Sequence, residues 1–318
     1  MLKSFMQMII RSFMSNLDWY PLVSIIILNW NRCDDVAETL KNIMQQSYDN
    51  LEILVVDNGS VDDSIIMLER DFPSIRVIAL PNNIGCEDGN NVGILNANGE
   101  IILFLDSDAG LEREGITKIL ESFHEDQHVG IVEPRVIRPE DNLIINEPKY
   151  WGNNFTGCVV AFRASVFNET GLRPGEYFIY ASEPDISMRA LEGGYKIVHR
   201  SDIIGEHRES PTARLSKRFY FYSTRNCIWL IWRYYPIKSA IYETIILLSF
   251  NFIFSMKALA PHYFFQGLAS GIFGLRAQVV GKRRVLKRFN EARLFPGYRD
   301  LIKILKIKLF KLIKGDKR

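Results

Sequence analysis

Cysteine is scarce in this chain, and its placement excludes two kinds of scaffold. Cys33, Cys86, Cys158 and Cys227 lie 53, 72 and 69 positions apart and form no CxxC pair or Cys/His cluster. That pattern fits neither a zinc site nor a disulfide framework, and it reads as separate thiols in a reducing compartment. Net charge is nearly absent as well. Against 37 Asp plus Glu stand 39 Lys plus Arg, for a formal +2, which argues against a nucleic-acid-binding globule. No internal repeat and no low-complexity segment occurs, so repeat architectures drop out. The first 20 residues are apolar-rich, but Lys3, Gln7 and Arg11 interrupt them without a small-residue cleavage site. A signal peptide is therefore not expected. Long apolar runs are also missing. TIILLSFNFIFSM (244–256) rises about 20 Å as a helix, short of a ~30 Å hydrocarbon core. Widening it to a full span requires Glu243 or Lys257. An interfacial or buried helix is expected there, with a single-pass anchor left open.

What the chain does have is a core-forming composition, with 47% apolar and 24% charged residues over 318 positions. At roughly 150 residues per domain this suits one large α/β domain or two lobes. Apolar runs of strand length occur at 23–28 (VSIIIL), 51–57 (LEILVVD), 75–80 (IRVIAL) and 100–106 (EIILFLD). Helical stretches over 34–46 and 62–70, and one opened by the Asn/Gly-rich segment 82–91, separate them. This alternation predicts a parallel sheet covered on both faces, with ligands beyond the carboxyl ends of its strands. Asn29, Asp57, Asn82, Asn83 and Asp106 all fall just past such strand ends, which describes a cleft edge. Further along, helices are expected over 113–124 and 184–192, and strands at 129–134 (VGIVEP) and 158–163 (CVVAFR).

The sharpest chemical feature is Asp106-Ser107-Asp108 after the run ILFL. Two carboxylates at i and i+2 at a sheet mouth can converge on one hard divalent cation, Mg²⁺ or Mn²⁺. Taken alone, the triplet reads more readily as a polar turn after a strand. It is accompanied, in order, by VSIIILNWN (23–31), VVDNGSVDDS (55–64), NNIGCEDGNNVGI (82–94) and LFLDSDA (103–109). TGCVVAFRASVFNETG (156–171), FIYASEPDISMRALEGGYKI (178–197) and RNCIWLIWRYYP (225–236) follow. Together these motifs resemble the inverting family 2 glycosyltransferases, especially the rhamnosyltransferase-like branch, over about residues 21–236.

The resemblance implies a GT-A fold: a Rossmann-like, mostly parallel central sheet with helices on both faces. It implies a nucleotide-sugar half at 21–110 and an acceptor and catalytic half at 111–235. These are flanked by an amphipathic segment at 1–20 and a helical extension at 236–318. Asp57, with Asn58 and Ser60, matches the element that reads the base and ribose of the donor. Asn29, Asn83, Gly85 and Asp106 border the same pocket. Asp106 and Asp108 match the metal-binding pair, and His207 matches a histidine that reaches metal or diphosphate. Where the family often carries aromatic and small residues, this chain has Cys86, Glu87 and Asp88, whose acids are expected to point outward. The family's E-D-x-D element becomes Ser182-Glu183-Pro184-Asp185, so Glu183 is the leading catalytic base and Asp185 the second. Trp151, Asn153, Asn154 and Thr156 lie where an acceptor would approach, and Arg208, Arg214 and Arg225 are candidate phosphate contacts.

The near-zero net charge hides an asymmetry. Residues 276–318 hold 15 Lys or Arg and three acids, leaving residues 1–275 with 24 basic and 34 acidic side chains. Over 300–314 (DLIKILKIKLFKLIK), leucines and isoleucines share one helical face and lysines the other, which suits an anionic membrane surface. The amphipathic segment at 1–20 either packs on the protein or lies on such a surface. The expected function is transfer of a sugar from a UDP-, dTDP- or GDP-linked donor to a saccharide or lipid-linked acceptor. The site of action is the cytoplasmic side of the cell membrane, held peripherally, with no nucleic-acid partner. A GT-A-like protein that binds without transfer, and a nucleotidyltransferase, are the competing readings.

Overall fold

The computed structural model describes residues 19–146, 154–208 and 217–287. The 1–20 segment before Trp19, the acceptor-side Trp151 and Asn153, Arg214, and the lysine-rich 300–314 stretch lie outside the described residues.

The first half is a Rossmann-like layer. Strands β1 (Val23–Asn29), β2 (Leu51–Asp57), β3 (Arg76–Ala79) and β4 (Ile101–Asp106) pair in parallel in the order β3-β2-β1-β4. Helices α1 (Cys33–Ile43), α2 (Ser64–Asp71) and α3 (Cys86–Asn96) form the crossovers. Alternation along β1 explains the two-sided burial. Ile25 and Ile27 join the core that contains Val36, Leu40 and Ile43 of α1, while Ile26 joins the opposite core with Phe104 and Phe162. Each such side chain contributes about 1.5–3 kcal/mol by leaving water. Helix α3 lies close to the sheet because its inner face is small: a Cβ on Gly89 or Gly93 would meet Leu28 or Ile26 at 2.6 and 2.5 Å.

Beyond β4 the sheet becomes mixed. After β5 (Ala109–Leu111) and α4 (Gly115–Glu125) come β6 (Val129–Arg138), β7 (Leu143–Ile144) and β8 (Val159–Arg163). Then follow α5 (Ala164–Thr170), a 3₁₀ turn at Gly175–Tyr177, α6 (Ser182–Glu192) and β9 (Lys196–His207). Strand β8 runs antiparallel to β4, β6 antiparallel to β8, and β5 antiparallel to β9. The strand expected at 129–134 continues to Arg138, because β9 pairs with it in parallel along its length.

A third core joins α7 (Arg218–Tyr234), α8 (Ile237–Lys257) and α9 (Pro261–Gln278) to Tyr177, Met188 and Leu191. The wider helical window takes in both Glu243 and Lys257, as the sequence required. The helix around 244–256 extends to 21 residues, about 31 Å, long and apolar enough to cross a membrane by length and composition. Its extra turns come from Ile237 to Glu243, and Glu243 is turned inward and fully buried.

Candidate active site

Strand ends and register assemble the acidic centre. Leu28 of β1 sits opposite Asp106 of β4, and Asn29 opposite Asp57 of β2, so the cleft residues share one carboxyl-end edge. Just past β4, the Asp106-Ser107-Asp108 turn is held by Thr39 of α1, whose hydroxyl donates to the carbonyls of Ser107 and Ala109 (2.7 and 2.8 Å). The β5–β9 pairing sets His207 opposite Ala109, and the Arg208 amide donates to the Asp108 carbonyl at 3.0 Å. That register carries an imidazole from about a hundred residues downstream to the carboxylates. His207 Nε2 lies 3.2 Å from Asp108 Oδ1 and 3.7 Å from Asp106 Oδ2.

One ligand atom from each of Asp106, Asp108 and His207 falls within 4.8 Å of the other two. Two carboxylate oxygens and one imidazole nitrogen are a donor set that fits Mn²⁺ or Mg²⁺. The opposing charges act on the pair. Desolvation raises the Asp106 carboxyl, the His207 ring opposes the rise and Asp108 adds to it. Arg32, which follows β1 and was not singled out in the sequence, ion-pairs with Asp108 at 3.1 Å and with Asp35 at 3.2 Å.

Around the nucleotide-side residues the hydrogen bonds are mostly internal. Asp57 is fully buried: its oxygens accept from Asn29 Nδ2 (2.9 Å) and from the Ser60 amide (2.8 Å). Asn58 donates to the Gly85 carbonyl and to Asn83 Oδ1, and accepts from the Ile84 amide. Asp57 and Asn58 thereby tie the loop after β2 to the loop that opens α3. Gly85 is required at that opening, since its φ is +98° and a Cβ would lie 2.6 Å from the Phe178 ring.

The acids that follow it are not outward-facing, contrary to expectation. Glu87 is 1% exposed and ion-pairs with Arg173 at 2.8 Å. Arg173 in turn donates to Ser182 Oγ at 3.1 Å and exchanges backbone bonds with the Asn91 side chain. Asp88 packs against Gly175 and accepts from Asn91. A buried carboxylate requires a counter-charge, and Arg173 supplies it from a loop 86 residues away.

Glu183 and Asp185 separate clearly in space. Asp185 is 1% exposed and engaged by Arg189 Nε (2.7 Å), the Tyr177 hydroxyl (3.2 Å) and Arg233 (3.7 Å). Glu183, in the first turn of α6, reaches the other way toward Gly157. A Cβ on Gly157 would lie 3.0 Å from Glu183 Oε1, and the residue has φ +96°. Next to it, the Cys158 carbonyl accepts from the Asp106 amide at 2.9 Å, so Glu183 and the acidic centre border the same segment. Burial pushes the Glu183 carboxyl up to about 7, with Glu87 adding to the rise and Arg173 opposing it.

The loop before Glu183 is strained: Phe178, Tyr180 and Ala181 all have φ between +66° and +69°. Asn226 of α7 donates to the carbonyls of Tyr177, Ile179 and Tyr180. Arg225 donates to the carbonyls of Glu176 and Tyr177, with its guanidinium 4.6 Å from the Trp229 ring. Arg225 is thus a clamp on this loop rather than a phosphate contact. Arg208 is likewise occupied, by the Thr39 hydroxyl and the Ala109 carbonyl. On the acceptor side, Thr156 donates through its amide and hydroxyl to buried Glu133 (both 2.6 Å), and Asn154 is buried. Neither Glu133 nor Arg173 carried a signal in the sequence.

A half-Rossmann sheet with an Asp-x-Asp turn and an acidic helix start across the cleft defines the GT-A class of nucleotide-sugar folds. The chain belongs to glycosyl transferase family 2, whose sequence model matches residues 24–221. It is 29% identical over 218 residues to a chondroitin synthase of Escherichia coli, covering 63% of this chain and 32% of that protein. The chain spans less than half the length of the curated relatives it matches. Among solved structures, a mannosyltransferase from Pyrobaculum calidifontis in complex with GDP-Man and Mn²⁺ superposes with a TM-score of 0.56 at 19% identity. That match covers 99% of this chain and 91% of the other. GalNAc-T7 with UDP, GalNAc and Mn²⁺ gives 0.59 at 14% identity, covering 81% and 58%. Both share the GT-A fold with this chain.

Proposed function

We propose that this chain transfers a hexosyl or rhamnosyl group from a UDP-, dTDP- or GDP-linked donor to a hydroxyl of a saccharide or lipid-linked acceptor. The anomeric centre inverts, the product is a cell-surface polysaccharide or glycolipid, and the enzyme works at the cytoplasmic face of the membrane. One observation carries the reading: Asp106, Asp108 and His207 converge beside the 157–158 segment onto which Glu183 opens. Asp106, Asp108 and His207 would hold Mg²⁺ or Mn²⁺. When bound, such an ion neutralises charge on a departing nucleotide diphosphate. Asn29, Asp57, Asn58, Ser60, Asn83 and Gly85 shape the nucleotide side, with Asp57 acting through the loop it organises. Glu183 takes the proton of the acceptor hydroxyl. It suits the task because its carboxyl titrates near neutrality and no Cβ stands between it and the segment beside the acidic centre. Asp185 is committed to Arg189 and Tyr177 and stabilises α6.

The test is nucleotide release and product formation with a panel of donors, with and without Mn²⁺. Asp108→Ala should lower transfer by roughly a thousandfold, while the melting temperature stays within a few degrees. Unchanged turnover would remove the metal assignment. In the same assay, Glu183→Gln should abolish transfer. Asp185→Asn should chiefly lower stability, and the reverse outcome would exchange their roles.

A further inference from the structure

Helices α8 and α9 present a largely apolar surface that the catalytic machinery does not use. Helix α8 is held to the protein along one side only, through buried Ala240, Glu243, Leu247 and Ser255 and a bond from Trp232 Nε1 to Thr244 Oγ1 (3.1 Å). On its other side Ile241, Ile245 and Phe252 face outward at helical spacing. Helix α9 packs closely on α7 because its inner positions are glycines: a Cβ on Gly267 would lie 2.5 Å from the Phe221 carbonyl oxygen. Its outward positions carry Phe265, Ile272 and Phe273, the last 85% exposed. The rings of Phe252 and Phe265, 6.0 Å apart, join the two helices into one face.

Charge identifies what covers it. Residues 236–287 contain seven Lys or Arg and a single acid, Glu243, which is buried. Lys238 and Lys257 bracket α8, and Arg276, Lys282, Arg283, Arg284 and Lys287 follow along and after the end of α9. An apolar face broken by Ser249 and Gln266 and bordered by an excess of cations, of which Lys282 is shared with Glu176 (3.4 Å), is complementary to an anionic bilayer surface.

We infer that the α8–α9 hairpin is a membrane-seating surface, lying in the headgroup boundary of an anionic bilayer with its outward phenylalanines and isoleucines among the acyl chains. The helix lies flat rather than spanning, because its inner side is fixed to α7 and carries buried Glu243. This surface is distinct from the lysine-rich 300–314 stretch and extends the membrane-side reading above. Vesicle binding tests it independently of turnover.

The experiment is flotation of the full chain with phosphatidylcholine vesicles, with and without phosphatidylglycerol. Wild type should float with the mixed vesicles and poorly with phosphatidylcholine alone. The double variant Ile245→Asp/Phe273→Asp should bind the mixed vesicles at least about tenfold more weakly with an unchanged circular dichroism spectrum, since both positions are exposed. A full-chain variant with Lys303, Lys306, Lys311 and Lys314 changed to Glu provides the comparison. The inference is overturned if the double variant floats like wild type while the lysine variant does not. Equal binding to both vesicle types also overturns it. So does a wild-type dimer that fails to float and is dissociated by the double variant, because a second copy would then be the occupant.

Discussion

Glu183 is a carboxyl that ionises late, and the consequences for rate and stability have opposite signs. Burial raises it from 4.5 to about 7. Below that value the folded protein holds the proton, and Glu183 cannot accept another from the acceptor. The predicted kcat/KM therefore falls about tenfold per pH unit below about pH 7, and a pH–rate profile measures it. For stability, a raised carboxyl means that the folded state binds more protons than the unfolded one between about pH 4.5 and 7. Stability is lost progressively as pH rises through that window. Glu183→Gln should thus be more stable than wild type by about 1–3 kcal/mol at about pH 8 and equal to it below about pH 4. Denaturant titrations at both pH values would decide this, and a constant difference would assign the effect to packing. Glu87 and Arg173 behave as a buried pair. Arg173→Met should cost about 3–5 kcal/mol by stranding the Glu87 carboxylate, and adding Glu87→Gln should restore part of it.

At the level of elements, the segment joining the 3₁₀ turn to α6 stores conformational strain beside the proposed base. Three non-glycine residues at positive φ cost about 1–3 kcal/mol each, so the surroundings must hold them. Asn226 and Arg225, at the middle of α7, do so through five carbonyl contacts. Asn226→Ala should release the loop. The expected outcome is a loss in kcat on the order of ten- to a hundredfold with donor affinity nearly unchanged, because the nucleotide-side loops are built on β1, β2 and α3 instead. A uniform loss of donor binding would show that the loop serves the nucleotide. Gly157 is the matching element on the other wall. Gly157→Ala adds a methyl 3.0 Å from Glu183 Oε1 at φ +96°, so it should impair both stability and turnover.

At the scale of the whole molecule, the three cores found among the described residues correspond to three tasks. The two faces of the sheet hold the strand ends in register, and the α7–α9 core fastens the loop before Glu183 to the outward apolar hairpin. An acidic body with a basic C-terminal region predicts salt-dependent attachment. Binding to phosphatidylglycerol-containing vesicles should weaken as ionic strength rises past about 0.15 M, where the Debye length is about 8 Å. The part that persists measures the apolar contribution of the hairpin. Salt-independent binding would exclude a role for the cations.

The parallel half of the sheet and its carboxyl-edge residues were legible from the residues alone, because β1, β2 and β4 are largely apolar runs of strand length that end in Asn or Asp. The Asp106/Asp108 pair was legible for the same reason: its two members lie on one turn, and local spacing suffices. Glu87 was misread because the sequence around it holds no counter-charge, and its partner Arg173 arrives through the fold. The remaining assignments needed tertiary structure. Pairing between β5 and β9 brings His207 to the carboxylates. A loop pinned to α3 brings Arg173 to Glu87. Packing against Arg189 and Tyr177 ties up Asp185 while leaving Glu183 beside Gly157. Apolar periodicity specifies which face of an element is buried, but the partner across that face is chosen by register and packing between segments distant in the chain.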